Sequence, residues 1–177
     1  MNNFTLKKSY WLIVAFVSIA LLSSCKSDDK NSPEYVGTWV ATLTSTDNGN
    51  SIQMKDVMTL SESGFSDLYQ VYNPRTNKYT DYIKIGGLLS VSGSTMTIKA
   101  TEIGVSTFDL TTGYPTGSIT TYKEGSSQFE SLFTLSGQAK TQKSEYSIEG
   151  NKLTVKTDNN NDGDYTDADE IIVYTRI

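Results

Sequence analysis

Histidine is absent from all 177 residues, and cysteine occurs once, at position 25. Without an imidazole the chain has no Ser-His-Asp or Cys-His nucleophilic arrangement and no His-ligated zinc. A lone cysteine makes no intramolecular disulfide, so the fold is held without covalent staples. No Gly-rich phosphate loop occurs, and no spacing identifies a pair of carboxylates for glycoside hydrolysis. The chain therefore reads as non-catalytic. Basic residues are also few, 15 Lys and Arg against 20 Asp and Glu, which leaves no basic face for nucleic acid. Long apolar runs are limited to one, Tyr10 to Leu22, 13 residues and too short to span a bilayer comfortably as a finished helix.

That run follows Lys7 and Lys8 and gives way to small polar residues, the n-region and h-region pattern of a secretory signal, with an N-terminal membrane anchor helix as the alternative. "LSSC", Leu22 to Cys25, resembles the lipobox of bacterial lipoproteins. The resemblance implies that residues 1–24 are a cleaved signal peptide and that Cys25 becomes the first residue, acylated on sulfur and on its amine by palmitate-type chains. Two or more chains on one residue give stable membrane anchoring, because each buried methylene contributes about 0.8 kcal/mol and one chain alone is marginal. Residues 25–34, "CKSDDKNSPE", read as a flexible acidic tether. Asp28 and Asp29 behind the cysteine resemble the export signal that places Bacteroidota lipoproteins on the cell surface of the outer membrane. A plain solvated tether, with the protein facing the periplasm, is the alternative.

Residues 35–177 are long enough for one domain with its own core. They carry little helical periodicity and a rhythm of short alternating runs broken by Gly, Asn and Ser. Strands are expected at 36–44, 56–60, 65–72, 79–91, 95–103, 118–124, 129–135 ("FESLFTL"), 144–150, 152–157 and 170–177. This predicts an all-β antiparallel barrel or sandwich and excludes a doubly wound fold. "LLSVSGSTMTIKA" and "EYSIEGNKLTVKT" are two hairpins of one design, each with a Gly-centred two-residue turn, which fits an up-and-down meander.

"VGTW", with Gly37, Thr38 and Trp39 opening the first strand, resembles the G-x-W signature of lipocalins. The two hairpins and the final "VYTRI" look like lipocalin-like domains of Bacteroidota lipoproteins. The resemblance implies an up-and-down, calycin-type β-barrel in which Trp39 plugs one end and a late-strand arginine, here Arg176, lies across its indole. The alternative is that Trp39 is an ordinary core aromatic.

Removing Lys7 and Lys8 with the signal takes the net charge from −5 to −7, and six of the acids lie between Asp158 and Glu170 with no base among them. The acidity is thus local. On a calcium-loop template Asp158, Asn160 and Asp162 take positions 1, 3 and 5, Gly163 position 6, Asp164 position 7, Thr166 position 9 and Asp169 position 12. Alternate residues would turn oxygens inward while Gly163 bends the backbone. The flanks read as strands, so this is not an EF-hand but resembles DxDxDG calcium loops between non-helical elements; the alternative is a solvated acidic turn.

These features lead to a surface-anchored, non-catalytic lipocalin-like domain that binds a small apolar or glycan ligand, with tyrosines such as Tyr69, Tyr72, Tyr79, Tyr82 and Tyr114 supplying amphipathic contacts and calcium ordering one loop. The rival reading is a protein-interaction subunit or inhibitor, with an envelope protein as partner, that uses the barrel exterior. A wide apolar cavity favours the first and a self-filled barrel the second.

Overall fold

The structure is a computed structural model that describes residues 32–47, 50–136, 138–160, 162–167 and 170–177. Cys25, Asp28, Asp29, the signal segment and Asp169 lie outside the described residues. Among the described residues nine strands and one helix follow in order: β1 (Gly37–Asp47), β2 (Asn50–Leu60), β3 (Gly64–Asn73), β4 (Lys78–Ser92), β5 (Thr95–Phe108), β6 (Pro115–Lys123), α1 (Ser127–Ser136), β7 (Thr141–Glu149), β8 (Lys152–Lys156) and β9 (Ile171–Arg176). Each strand pairs antiparallel with its neighbours in the order β1-β2-β3-β4-β5-β7-β8-β9, and β9 returns to β1. The result is a closed, eight-stranded, up-and-down barrel. β6 pairs outside this ring, on the edge of β5.

The two hairpins anticipated from their shared pattern are β4–β5 and β7–β8, with Ser92 opposite Thr95 and Glu149 opposite Lys152. Gly93 and Gly150, at φ 59° and 61°, are the first central residues of their turns, the position where a type II′ turn needs left-handed backbone. In the barrel the hairpins are adjacent, because Met96 of β5 lies opposite Ser144 of β7.

One expected strand is a helix. "FESLFTL" reads as alternation if Phe129, Ser131 and Phe133 are taken in turn, yet Phe129, Leu132 and Phe133 also stand at the i, i+3, i+4 spacing of an apolar helix face. Local chemistry favours the helix, since Ser126 Oγ accepts a hydrogen bond from Phe129 N–H at 3.3 Å and so caps the first turn. Burial completes the choice: Phe129 and Phe133 pack together with Ala100 and Ile103 of β5.

β5 is where the wall divides. Its first half, Thr95–Lys99, pairs with β7, and its second half, Glu102–Phe108, pairs with β6. Between these halves the β4–β5 register shifts at Gly86 and Gly87, so that Thr101 is passed over. Glu124 N–H donates to Thr101 O and Ala100 N–H donates to Lys140 O, both at 2.8 Å. The chain thus leaves the wall after β6, forms α1, and rejoins it one step along β5.

The end of the barrel that carries the β2–β3, β4–β5 and β7–β8 turns is closed by a continuous apolar cluster. Trp39, Leu60, Phe65, Leu89, Met96 and Leu153 are among its buried members, with Trp39 and Leu153 wholly enclosed. Trp39 Nε1–H donates to Tyr35 O at 2.8 Å, and the Arg176 guanidinium lies 4.3 Å from the indole centroid. Arg176 also donates to the carbonyls of Glu34 and Val36. Gly37 keeps this approach open, because a Cβ there would stand 3.3 Å from Arg176 Nη1.

Candidate functional site

Three places in the barrel offer chemistry, and they sit at different heights. The first is the mouth, at the end that carries the β1–β2, β3–β4 and β5–β6 connections. A groove of about 760 Å³ opens there, lined by Ile52 and Met54 of β2, Tyr72 of β3, Tyr82 of β4, and Phe108 and Tyr114 around the β5–β6 loop. Tyr82 meets Phe108 edge to face at 5.6 Å. Ile52, Phe108 and the neighbouring Leu110 are exposed large apolar side chains. The groove has the volume of a small-molecule site, and its aromatic rings carry both apolar faces and hydroxyl groups. Of the tyrosines singled out in the sequence, Tyr72, Tyr82 and Tyr114 line it; Tyr79 meets Tyr72 with the rings tilted, 5.4 Å between centroids, and Tyr69 points to the interior instead.

The second place is a polar layer one step deeper. Along β2 the inward positions run Met54, Asp56, Met58, Leu60, and along β3 they run Phe65, Asp67, Tyr69, Val71, so period-2 alternation brings two aspartates into the barrel. Tyr174 of β9, which lies on the far side of β1 from β2, donates to Asp56 Oδ2 at 2.7 Å. Burial raises Asp67 well above the usual carboxylate range; a hydrogen bond with Asp56 and its charge add to this, and a hydrogen bond from Tyr69 opposes it. Burial likewise raises the Tyr69 and Tyr174 hydroxyls, with the charges of the two aspartates adding to it, so both tyrosines stay protonated donors at neutral pH. Sequence reasoning passed over this layer, because Asp56 and Asp67 sit inside ordinary strand runs. An acid at an inward position could have been found only with the register in hand.

Asp67 makes a pH prediction. An acid whose folded pKa exceeds its unfolded value binds more protons folded than unfolded between the two values, so it lowers stability as pH rises through that window. Wild type is therefore expected to lose up to about 1.4 kcal/mol per pH unit relative to Asp67→Asn above the ordinary aspartate range. Urea unfolding of both proteins at several pH values measures this, and parallel pH profiles would contradict the buried-acid assignment.

The third place is the β8–β9 loop. Carboxylate oxygens of Asp158, Asp162 and Glu170 lie within 4.8 Å of one another. Asp158 accepts from the N–H groups of Asp162 at 3.2 Å and Gly163 at 3.0 Å, as an acid at the head of a tight loop does. Asn160 Oδ1 accepts from Asp162 N–H and its amide donates to Asp162 and Asp167. Asp164 faces Thr166, accepting from its N–H and hydroxyl, rather than the cluster. Glu170 is the acid that the template reading did not assign: it is buried, and its oxygens accept from Asn159 N–H at 3.1 Å and Asp167 N–H at 3.3 Å. It follows position 12 by one residue, which is why loop counting overlooked it.

Below the mouth two apolar clusters of the barrel's own side chains pack the interior, and a cavity of about 60 Å³ lies beside Phe133 of α1. Fold and sites together define a lipocalin-like, closed, up-and-down barrel with an aromatic mouth and a plugged floor. No protein family, curated protein or solved structure matches this chain. Among the described residues no helix is long and apolar enough to cross a membrane.

Proposed function

We propose that this protein is a lipid-anchored binding protein whose barrel mouth holds a small amphipathic ligand, an apolar molecule or a glycan. The observation that carries this reading is the mouth groove, whose volume of about 760 Å³ and rim of Tyr72, Tyr82, Phe108 and Tyr114 suit a ligand with one apolar and one hydroxylated face. The filled lower barrel moves the ligand from the centre, where a hollow barrel would hold it, to this end. Octyl glucoside, which joins both chemistries, is the probe. Titration is expected to shift the NMR signals of Tyr82 and Phe108, and Tyr82→Ala with Phe108→Ala should weaken binding by about tenfold or more. A panel of alkyl glycosides, oligosaccharides and fatty acids that leaves those signals still would sink the reading.

Anchoring rests on the lipobox resemblance at Cys25, which supports membrane attachment through acyl chains, with the acidic pair Asp28 and Asp29 supporting a surface location. Cys25→Ser is expected to abolish palmitate labelling; unchanged labelling would remove the anchor.

In the same reading the acidic loop takes calcium, with Asp158, Asp162 and Glu170 as charged ligands, and with Asn160, Asp164, Thr166 and Asp169 at the remaining template positions. A loop with six acids and no base repels itself, and a bound dication offsets that repulsion. With a Kd of about 10⁻⁴ to 10⁻³ M, typical of extracellular sites, 10 mM calcium should stabilise the domain by about 1.5–3 kcal/mol. Asp158→Asn with Asp162→Asn is expected to erase that response without unfolding the barrel. Equal melting temperatures in calcium and in chelator would reduce the loop to a wet turn.

A further inference from the structure

Midway down the barrel two carboxyl groups meet, and among the described residues no cation is paired with them. Asp56 is fully buried and Asp67 is 9 % exposed, and Oδ1 of each has no hydrogen-bond partner. Buried acceptors are ordinarily satisfied, so two orphans in one layer call for a reason. A cavity of about 60 Å³ is lined by Asp67 and Tyr69, with Phe65, Ile85, Ile98 and Phe133 as apolar walls, and Asp56 stands behind Asp67, within hydrogen-bond reach of it. Among the described residues Lys140 is the only cation in that lining, and it is paired with Glu130 of α1.

The complement of such a site is narrow. An ionised carboxylate only accepts hydrogen bonds, so the missing group must donate; two open acceptors ask for at least two N–H groups, and the buried negative charge asks for a cation. A primary ammonium meets all three demands, and the apolar walls suit an unbranched methylene stem better than a ring. We propose that Asp56 and Asp67, with Tyr69, form an interior site for the primary ammonium group of a small organic amine whose stem lies among Phe65, Ile85, Ile98 and Phe133 beneath α1. The raised pKa of Asp67 agrees with this, since a proton held on Asp67 does in part what the ammonium does better. The site is separate from the mouth groove and stands whether or not that groove binds a glycoside.

Titration of the full chain with n-butylammonium tests it, with n-butanol and sodium chloride as parallel titrants, read by calorimetry and by the ¹³C signals of the aspartate carboxyl carbons. One butylammonium per chain is expected, with the Asp56 and Asp67 signals moving together to saturation. Asp67→Asn and Asp56→Asn should each weaken binding by about tenfold or more, because a neutral amide keeps the shape and loses the charge. Butanol that binds as tightly as butylammonium would show mere filling of an apolar cavity and overturn the proposal. Sodium that moves the same two signals equally would assign the pair to an inorganic cation and also overturn it. If either variant fails to fold, the wild-type carboxyl signals decide alone: stationary signals place the amine elsewhere and end the claim.

Discussion

Trp39→Ala is expected to lower the stability of the barrel by about 3–5 kcal/mol, the usual range for truncating a large aromatic in a packed core. Trp39 has no solvent-exposed surface and belongs to the cluster that closes one end with Leu60, Phe65, Leu89 and Leu153. The substitution also removes the surface on which Arg176 rests and the indole N–H that ties Tyr35 O to β1. Trp39→Phe should retain part of the packing and lose the hydrogen bond, and so fall between. Arg176→Ala acts on the same plug from its exposed side and is expected to cost less, about 1 kcal/mol. Urea denaturation of the three variants gives the order directly; if Trp39→Ala proved no worse than Arg176→Ala, the plug would not be the keystone of that end.

Gly87→Ala should be worse still for its size, with a loss of about 4 kcal/mol or more, in the tail of single-substitution effects. One methyl is added, yet a Cβ at Gly87 would lie 2.0 Å from Lys99 O and 3.0 Å from Ala100 Cα. These are backbone atoms of the neighbouring strand and have no rotamer to yield. The clash falls at the register shift of β4 and β5, beside the point where Ala100 N–H receives the returning chain through Lys140 O. Melting temperature and the hydrogen-exchange protection of Ala100 should therefore fall together. Retained protection at Ala100 in a folded Gly87→Ala protein would show that β4 can move away from β5.

The all-β barrel and its meander order were legible because burial imposes period-2 alternation and tight turns impose glycine at fixed places, as at Gly93 and Gly150. Residues 127–136 were not, because "SQFESLF" satisfies both periods and the decision lies with Ser126 and with the apolar surface of β5. The acidic loop could be read from spacing, but Glu170 could not, since its inward turn depends on where β9 begins. Asp56 and Asp67 were invisible for a related reason: an acid in a strand reads as an outward residue until its neighbours on both sides are known.

The ring is completed by its first and last strands, joined through only two paired positions, Trp39 with Arg176 and Val40 with Thr175. Nearly the whole domain lies between those partners in sequence, so this contact has the largest loop-closure cost in the molecule and slows folding more than any hairpin does. Before β9 joins, β1 through β8 can pair as an open, curling sheet. Its unpaired edges are then exposed at the moment of greatest vulnerability to misassociation. Closure waits for β9, and Arg176 settles over the Trp39 plug last.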